Sequence, residues 1–167
     1  MKLRYCLPAI ALVACQPAER PEPAGSADAG PRAPAATVTA AEFQTIRWIE
    51  GTWRGSGGGV DPFYERYRFL DDSTLLRETF SDSSLAAVSD STRIGLRGTR
   101  VVDPAGDPKW QATAFDSASW RFESLEDAAR AFTWRRATED SWTATLEWRD
   151  ATGSAQQRVY TLERFGG

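Results

Sequence analysis

The chain has 167 residues, which is enough for one domain of ordinary size and short of two. Hydrophobic residues make up 41% and charged residues 26%, a balance that allows a packed core and excludes a chain that is disordered throughout. The formal net charge of −3 argues against nucleic acid as a partner. Histidine is absent, which excludes nucleophiles activated by histidine, histidine metal ligands and haem with an axial histidine.

The first fifteen residues have the parts of a secretion signal. A cationic start at Lys2 is followed by an apolar stretch over 5–13, far shorter than the roughly 20 residues of a membrane-spanning helix. The stretch ends in LVAC, residues 12–15, which resembles the lipobox of bacterial lipoproteins. That resemblance implies cleavage after Ala14 and acylation of Cys15, with the acyl chains supplying membrane affinity. The alternative is an ordinary secretory signal with a free cysteine near its end.

The sequence predicts three segments along the chain. Residues 1–14 form the lipoprotein signal peptide, 15–37 the lipidated cysteine with a disordered tether, and 38–167 a β-barrel domain. The tether is rich in proline and alanine and lacks apolar periodicity, so it cannot bury enough surface to offset its ordering entropy. Gln16 follows the cysteine in place of the aspartate of inner-membrane retention signals. We therefore expect a lipid-anchored protein of the cell envelope, at the outer membrane facing the periplasm if the host is Gram-negative.

A short helix is predicted at the start of the domain. Thr39 is a candidate N-cap, and Glu42 follows three residues later, as a capping box requires. Val38 and Phe43 occupy the positions of a hydrophobic staple around that box. The pattern indicates an amphipathic helix over about 40–50.

After the helix the apolar pattern changes to a period of two, which is typical of half-buried strands. The predicted strands are 52–58, 63–70, 75–80, 92–102, 110–115, 120–124, 132–136, 142–148 and 158–165. Short turn clusters between them predict hairpin connections and therefore a meander. A meander of about nine strands avoids exposed edges by closing. The predicted fold is all-β, a single antiparallel up-and-down barrel with one short N-terminal helix.

The junction between the helix and the first strand is the most distinctive stretch, and residues 48–59 read WIEGTWRGSGGG. A short helix followed by G-T-W-x-G-x-G resembles the start of calycin-type barrels, which include lipocalins, fatty-acid-binding proteins and nitrobindin-like proteins. The resemblance covers residues 40–167 in layout. It implies that Trp53 closes the barrel floor against the helix and that the mouth takes a small, mostly apolar ligand. Nitrobindin-like proteins bind haem through a histidine, so haem is not implied for this chain.

Six residues are candidates for a ligand site inside the barrel: Trp53, Glu65, Tyr67, Arg77, Trp134 and Arg136. Aromatic side chains such as Trp134 either line a cavity or simply fill the core, and the sequence leaves both possibilities open. Arg136 shares a strand face with Phe132 and Trp134. An arginine between aromatic rings can hold an anion, although arginines stacked on a protein surface are also ordinary.

Glu65 is a carboxylate among aromatic side chains on one face of the predicted strand 63–70. A turn at 71–73 folds the next strand back, which brings Arg77 or Glu78 close to Glu65. A Glu–Arg pair inside a barrel would orient the polar end of a ligand, such as the carboxylate of a fatty acid. The alternative is a cross-strand salt bridge that faces water and contributes little.

The sequence favours an envelope lipoprotein whose barrel binds a small apolar or amphipathic ligand without transforming it. We expect no cofactor and no metal, since the aspartates fit no calcium-binding loop. One alternative is a structural or interaction module with a packed barrel that binds an envelope protein partner. Another is an enzyme with Glu65 or Glu78 as general base and Tyr67 or an arginine as electrophile, for which the sequence gives no specific indication. Periodicity reports faces and not cavities, so the ligand stays unidentified.

Overall fold

The computed structural model describes residues 32–166. The predicted signal peptide, Cys15 and the predicted tether up to residue 31 lie outside the described residues. Within the described part of the chain, no helix is both long enough and apolar enough to cross a membrane.

The domain begins with a short helical segment. An α-helix, α1, spans Ala40–Phe43, and a 3₁₀ helix continues it over Gln44–Ile49. The predicted capping box is present, since the Thr39 hydroxyl accepts from the Glu42 backbone N–H at 3.2 Å and the Glu42 carboxylate accepts from the Thr39 N–H at 2.8 Å. The predicted helix is therefore a single α-turn followed by 3₁₀ turns.

Ten strands follow the helical segment. They are β1 Gly51–Gly57, β2 Phe63–Asp71, β3 Thr74–Phe80, β4 Val88–Arg97, β5 Arg100–Asp103, β6 Trp110–Phe115, β7 Ser119–Ser124, β8 Ala131–Arg136, β9 Ser141–Arg149 and β10 Ala155–Arg164. Each strand pairs antiparallel with the next one in the chain, and β1 pairs with β10. The predicted all-β, up-and-down closed barrel with one short N-terminal helix is confirmed.

The barrel has ten strands and not about nine, because the stretch predicted as one strand over 92–102 is a hairpin. Arg97 at the end of β4 pairs with Arg100 at the start of β5, which leaves a turn of two residues. Gly98, the first of them, has a φ of 61°, and a glycine at that position suits the tight turns that match strand twist. A lone glycine between two apolar runs is a weak turn signal, which is why the sequence pattern missed it.

The helical segment covers one end of the barrel, which we call the floor. The Gln44 side-chain amide donates to the Asp72 carbonyl in the β2–β3 turn at 2.7 Å. Phe43 packs edge-on against Phe69 and Trp120, with ring centroids 5.4 and 6.0 Å apart. The connections at the opposite end, 58–62, 81–87, 104–109, 125–130 and 150–154, surround what we call the mouth.

Residues 32–38, which we call the strap, are hydrogen-bonded to the barrel although the sequence places 32–37 in the tether. The Arg32 guanidinium donates to the carbonyls of Ser124 and Leu125, at 3.0 and 2.7 Å, near the mouth. Further along, the Ala36 N–H donates to the Ala112 carbonyl on β6 at 2.8 Å. Strands β5 and β6 share only two residue pairs, so the strap supports the shortest seam of the barrel. Main-chain hydrogen bonds need no apolar periodicity, so composition does not reveal them.

Trp53 is expected to act as a structural residue of the floor. It is 1% exposed, and its indole N–H donates to the Ile49 carbonyl at 2.6 Å. Trp53→Phe leaves that buried carbonyl without its donor and removes packed volume, so the free energy of unfolding should fall by about 2–4 kcal/mol in urea titrations. Trp48→Phe is the matched control, because the buried Trp48 indole N–H has no partner within residues 32–166. Equal losses for the two variants would contradict this role of the hydrogen bond.

Candidate functional site

A cavity of about 300 Å³ lies inside the barrel and reaches towards the mouth. Nearly half of the lining residues are aromatic, and we call six of them the aromatic wall: Phe63, Trp110, Phe132, Trp134, Trp148 and Tyr160. Strand β1 contributes little volume on the inside because Gly55 pairs with Phe63 and has no side chain. A Cβ at Gly55 would overlap the Phe63 ring, so glycine is what allows that ring to lie flat against β1. Gly55 thus makes room for the Phe63 ring, which lines the cavity.

Trp142 separates the cavity from the floor. It is 1% exposed, and its ring meets those of Trp48, Trp53, Tyr67 and Trp134 with centroids 5.8 to 6.1 Å apart. All four contacts are edge-to-face, the arrangement that aromatic quadrupoles favour. This packed layer makes the lower half of the barrel solid and leaves open space only above it.

One side of the cavity carries four polar side chains, which we call the polar wall: Glu65 and Tyr67 from β2, Arg77 from β3 and Asp103 from β5. The Tyr67 hydroxyl donates to Glu65 Oε2 at 2.8 Å. Arg77 Nη1 lies 3.9 Å from Asp103 Oδ2, and the Thr92 hydroxyl donates to Asp103 Oδ1 at 3.4 Å. Two carboxylates thus share one guanidinium inside a mostly apolar cavity.

Burial shifts the titration of the polar wall. Burial raises the pKa of Glu65, while the Arg77 charge and the Tyr67 hydrogen bond act against that rise. Burial also raises the pKa of Asp103, again opposed by Arg77. Burial and the neighbouring Glu65 charge raise the pKa of Tyr67 well above its ordinary value, so Tyr67 stays a hydrogen-bond donor at neutral pH.

Four of the six candidate residues line this cavity: Glu65, Tyr67, Arg77 and Trp134. Trp53 does not, because it lies below the Trp142 layer with the Arg164 guanidinium 4.4 Å from its ring centroid. Arg136 is exposed at the floor end of β8, where its Nε donates to the Thr138 carbonyl at 3.2 Å. The strand pattern identified the face of each residue but not its height along the barrel. Ligand binding by the six residues stays a prediction.

The register of β2 and β3 decides which neighbour Glu65 has. Tyr67 pairs with Arg77, so Arg77 faces inward beside Glu65. Glu78 pairs with Arg66 on the outer face, where Glu78 Oε2 lies 3.6 Å from Arg68 Nε. Of the two partners that the sequence left open, the structure therefore places Arg77 in the cavity and Glu78 outside it.

Sequence reasoning missed Asp103 and Arg130. Asp103 directly follows the predicted strand 92–102, and because the β4–β5 hairpin was not recognised its face was not predicted, although it alternates with the buried Val101. Arg130 lies in the loop before β8, and its guanidinium is 5.8 Å from the ring centroid of Trp110. Only the hairpin signal at Gly98 would have indicated Asp103, and nothing in the local pattern indicates Arg130.

The cavity lining combines aromatic faces, three carboxylates (Glu65, Asp103 and Glu147) and two guanidinium groups (Arg77 and Arg130), and its side chains include no serine, threonine or cysteine as a nucleophile. Within residues 32–166, no cluster of three or more acidic, cysteine or histidine side chains is arranged to hold a metal ion.

No protein-family model matches the chain, and no curated protein matches it. Among solved structures, it is similar to EF1p2_mFAP2b bound to DFHBI, with a TM-score of 0.36 and 10% identity over 73% of this chain and 98% of that one. It is also similar to a protein of unknown function from the DUF3598 family of Nostoc punctiforme, with a TM-score of 0.48 and 13% identity over 84% of this chain and 53% of that one. A redesigned β-barrel gives a TM-score of 0.32 and 10% identity over 80% of this chain and 100% of its own length. These likenesses concern the barrel fold alone.

The raised pKa of Glu65 predicts an unusual dependence of stability on pH. A carboxyl group whose pKa is raised by folding stabilises the folded state below its ordinary pKa and loses that contribution as pH rises. The urea midpoint of the wild type should therefore fall as the pH rises above about 4.5, the ordinary pKa of a glutamate, with Asp103 contributing in the same direction. Glu65→Gln keeps an acceptor for Tyr67 and should make this fall smaller.

Glu163→Gln is the control for that measurement, because Glu163 lies exposed on β10, away from the cavity. An unchanged pH dependence in Glu65→Gln would contradict the burial of an ionisable group at this position.

Proposed function

We propose that this protein binds a small amphipathic molecule in the barrel cavity and does not transform it. The observation that carries the proposal is the cavity of about 300 Å³, in which an aromatic wall faces a polar wall. Ligand sites of other proteins are mostly apolar clefts of about 300–1,000 Å³ with a few placed polar groups, so this cavity suits a small ligand. An amphipathic molecule would bury its apolar body against the aromatic wall and direct its polar end to the polar wall.

The volume favours a binding protein over an interaction module with a packed barrel. A packed barrel has no need for alanine at Ala144, an inward position that lines the cavity and where a larger side chain would fill part of it. Five large apolar side chains of the described residues are exposed. Leu146 lines the cavity, and the other four lie in different loops and strands: Val60, Leu70, Val88 and Val159. Isolated exposed apolar residues of this kind are ordinary and do not point to a docking surface.

A non-catalytic role agrees with how the polar wall is arranged. Glu65 accepts a hydrogen bond from the Tyr67 hydroxyl, and Asp103 lies 3.9 Å from Arg77, so each carboxylate has one partner that makes it a weaker base. Glu78, the other base considered from the sequence, faces outward. A general base needs a substrate proton within hydrogen-bond reach, and the third carboxylate of the lining, Glu147, accepts from Arg121.

We also propose that the barrel is calycin-like and is anchored in the cell envelope through a lipid on Cys15. The support for the first part is the short helix that leads into G-T-W, with Trp53 hydrogen-bonded back to Ile49. The support for the second is the lipobox-like LVAC of residues 12–15. Arg32 lies on the mouth side of the barrel, and the 17 residues from Cys15 to Arg32 span at most about 60 Å, so an anchor there would hold the mouth near the membrane.

Binding is tested with the full chain carrying Cys15→Ser, which removes the acylation site, and with naphthylmethanol as a neutral amphipathic probe. We expect quenching of tryptophan fluorescence that saturates with probe concentration, because tryptophans line the cavity. Leu146→Trp narrows the cavity from β9 and should weaken binding at least tenfold. Thr145→Trp is the matched control, since it adds the same side chain on the outer face of the same strand.

Equal binding by the two variants would place the probe outside the cavity. Native mass spectrometry of the protein recovered from its own envelope provides a second test. A reproducible extra mass released by denaturation is expected, and a bare chain together with no probe binding would overturn the proposal.

The anchor is tested by metabolic labelling with a fatty acid and by membrane fractionation of a Gram-negative host that expresses the full chain. The wild type should incorporate label and sediment with membranes. Cys15→Ser should lose both properties, and Cys6→Ser, a cysteine within the signal, should keep them. Label retained by Cys15→Ser would contradict acylation at this residue.

A further inference from the structure

We propose that the ligand is a cation, namely a protonated amine on a small aromatic or apolar body, received by Glu65 and Asp103. The inference rests on the proposed function and names the substrate class of the same cavity. It differs from the expectation that the sequence suggested, in which a Glu–Arg pair would hold the carboxylate of a fatty acid.

The polar wall carries more negative than positive charge. Arg77 is the one cation of this wall, and two carboxylates, Glu65 and Asp103, both act on it. An anionic ligand would approach the guanidinium with a carboxylate from β2 and another from β5 nearby, and like charges repel. A cationic ligand would instead supply the positive charge that the wall lacks. Asp90 on β4 acts on Asp103 as a further negative charge and strengthens this preference.

The two carboxylates of the polar wall accept fewer hydrogen bonds than they can. An ionised carboxylate accepts about four hydrogen bonds. Among the described residues, Glu65 accepts one, from Tyr67, and Asp103 accepts one through its side chain, from Thr92. Arg77, at 3.9 Å from Asp103, is too far for a hydrogen bond. An ammonium group brings three donors and no acceptor, which suits this surplus of acceptors.

Aromatic rings lie beside the polar wall. Tyr67 lies edge-on to Trp134 and Trp142, with both pairs of ring centroids 5.8 Å apart. A cation that reaches Glu65 therefore lies next to aromatic rings, which attract cations through their negative faces. Nearer the mouth, Arg130 and Arg158 lie over Trp110 and Trp148 at 5.8 Å, so the same kind of contact is already made by side chains there.

The burial of Glu65 and Asp103 also favours a cationic ligand. Burial raises the pKa of both Glu65 and Asp103, which means that neither carboxylate is fully compensated in the free protein. A cation placed between them would favour their ionised forms, as Arg77 does in part. Arg77 itself has donors to offer, so an anion is the competing occupant that the experiment must include.

The experiment compares three probes that share one aromatic body: naphthylmethylamine, naphthylmethanol and naphthylacetic acid. Dissociation constants are measured at pH 7 by tryptophan fluorescence and calorimetry on the full chain with Cys15→Ser. We expect the amine to bind at least tenfold more tightly than the alcohol, and the acid to bind most weakly. Glu65→Gln should remove the advantage of the amine, measured as the ratio of the dissociation constants of the alcohol and the amine in the same variant.

Asp103→Asn is a second variant, which removes the charge of the other carboxylate of the polar wall. Glu163→Gln, on the outside of β10, is the control that should keep the full advantage of the amine over the alcohol. Thermal unfolding of each variant shows whether it is folded. Tighter binding of the acid than of the amine would overturn the inference and assign the head-group site to Arg77. Equal affinity for all three probes would also overturn it, while leaving the proposed function intact. Binding of none of the three would instead remove the proposed function on which the inference rests.

Discussion

Antiparallel pairing between β1 and β10 joins the two ends of the meander, with Gly55 opposite Leu162 and Trp53 opposite Arg164. This closure removes both free edges of the sheet and creates an inside, so half of each strand's side chains must share one limited volume. The helical segment covers the floor of that volume, and its 3₁₀ helix ends where Trp53 reaches back to Ile49. Packing is therefore densest at the floor and decreases towards the mouth.

The barrel therefore has a packed half at the floor and an open half at the mouth. Below Trp142, aromatic and aliphatic side chains are in mutual contact and almost fully buried. Above Trp142, the Phe63 ring occupies the space at Gly55, and the small side chain at the inward position Ala144 borders the cavity. A stable lower half allows the upper half to stay open, because the packing free energy of the domain does not depend on filling the mouth.

The polar wall is the costly part of this arrangement. Burying Glu65 and Asp103 disfavours their charged forms, and Arg77 offsets this only in part. Barrel interiors of the same size can be filled with apolar side chains, so the buried charge lowers the stability of the fold. The wall stands on β2, β3 and β5, with β4 between the last two, and the closed sheet holds these strands in register. Under the proposed function, this fixed arrangement prepares the groups for a ligand before binding.

The short capped helix, the alternation of faces, the antiparallel meander and its closure were predictable from the sequence, because they follow from local spacing and from the need to pair strand edges. The sequence also grouped Glu65 and Tyr67 on one strand face and named Trp134 as a candidate for the cavity, while it left Arg77 and Glu78 as alternatives beside Glu65. The tertiary structure decided that Trp53 and Arg136 lie away from the cavity, that Arg77 and not Glu78 faces Glu65, and that Asp103 joins them. Alternation encodes only which side of a strand a residue takes. Three features depend on how the strands are placed relative to one another: a residue's height along the barrel, the register of strands after an unrecognised turn such as the one at Gly98, and the volume of the cavity. The placement of the strands is set only when all ten pack into the closed barrel.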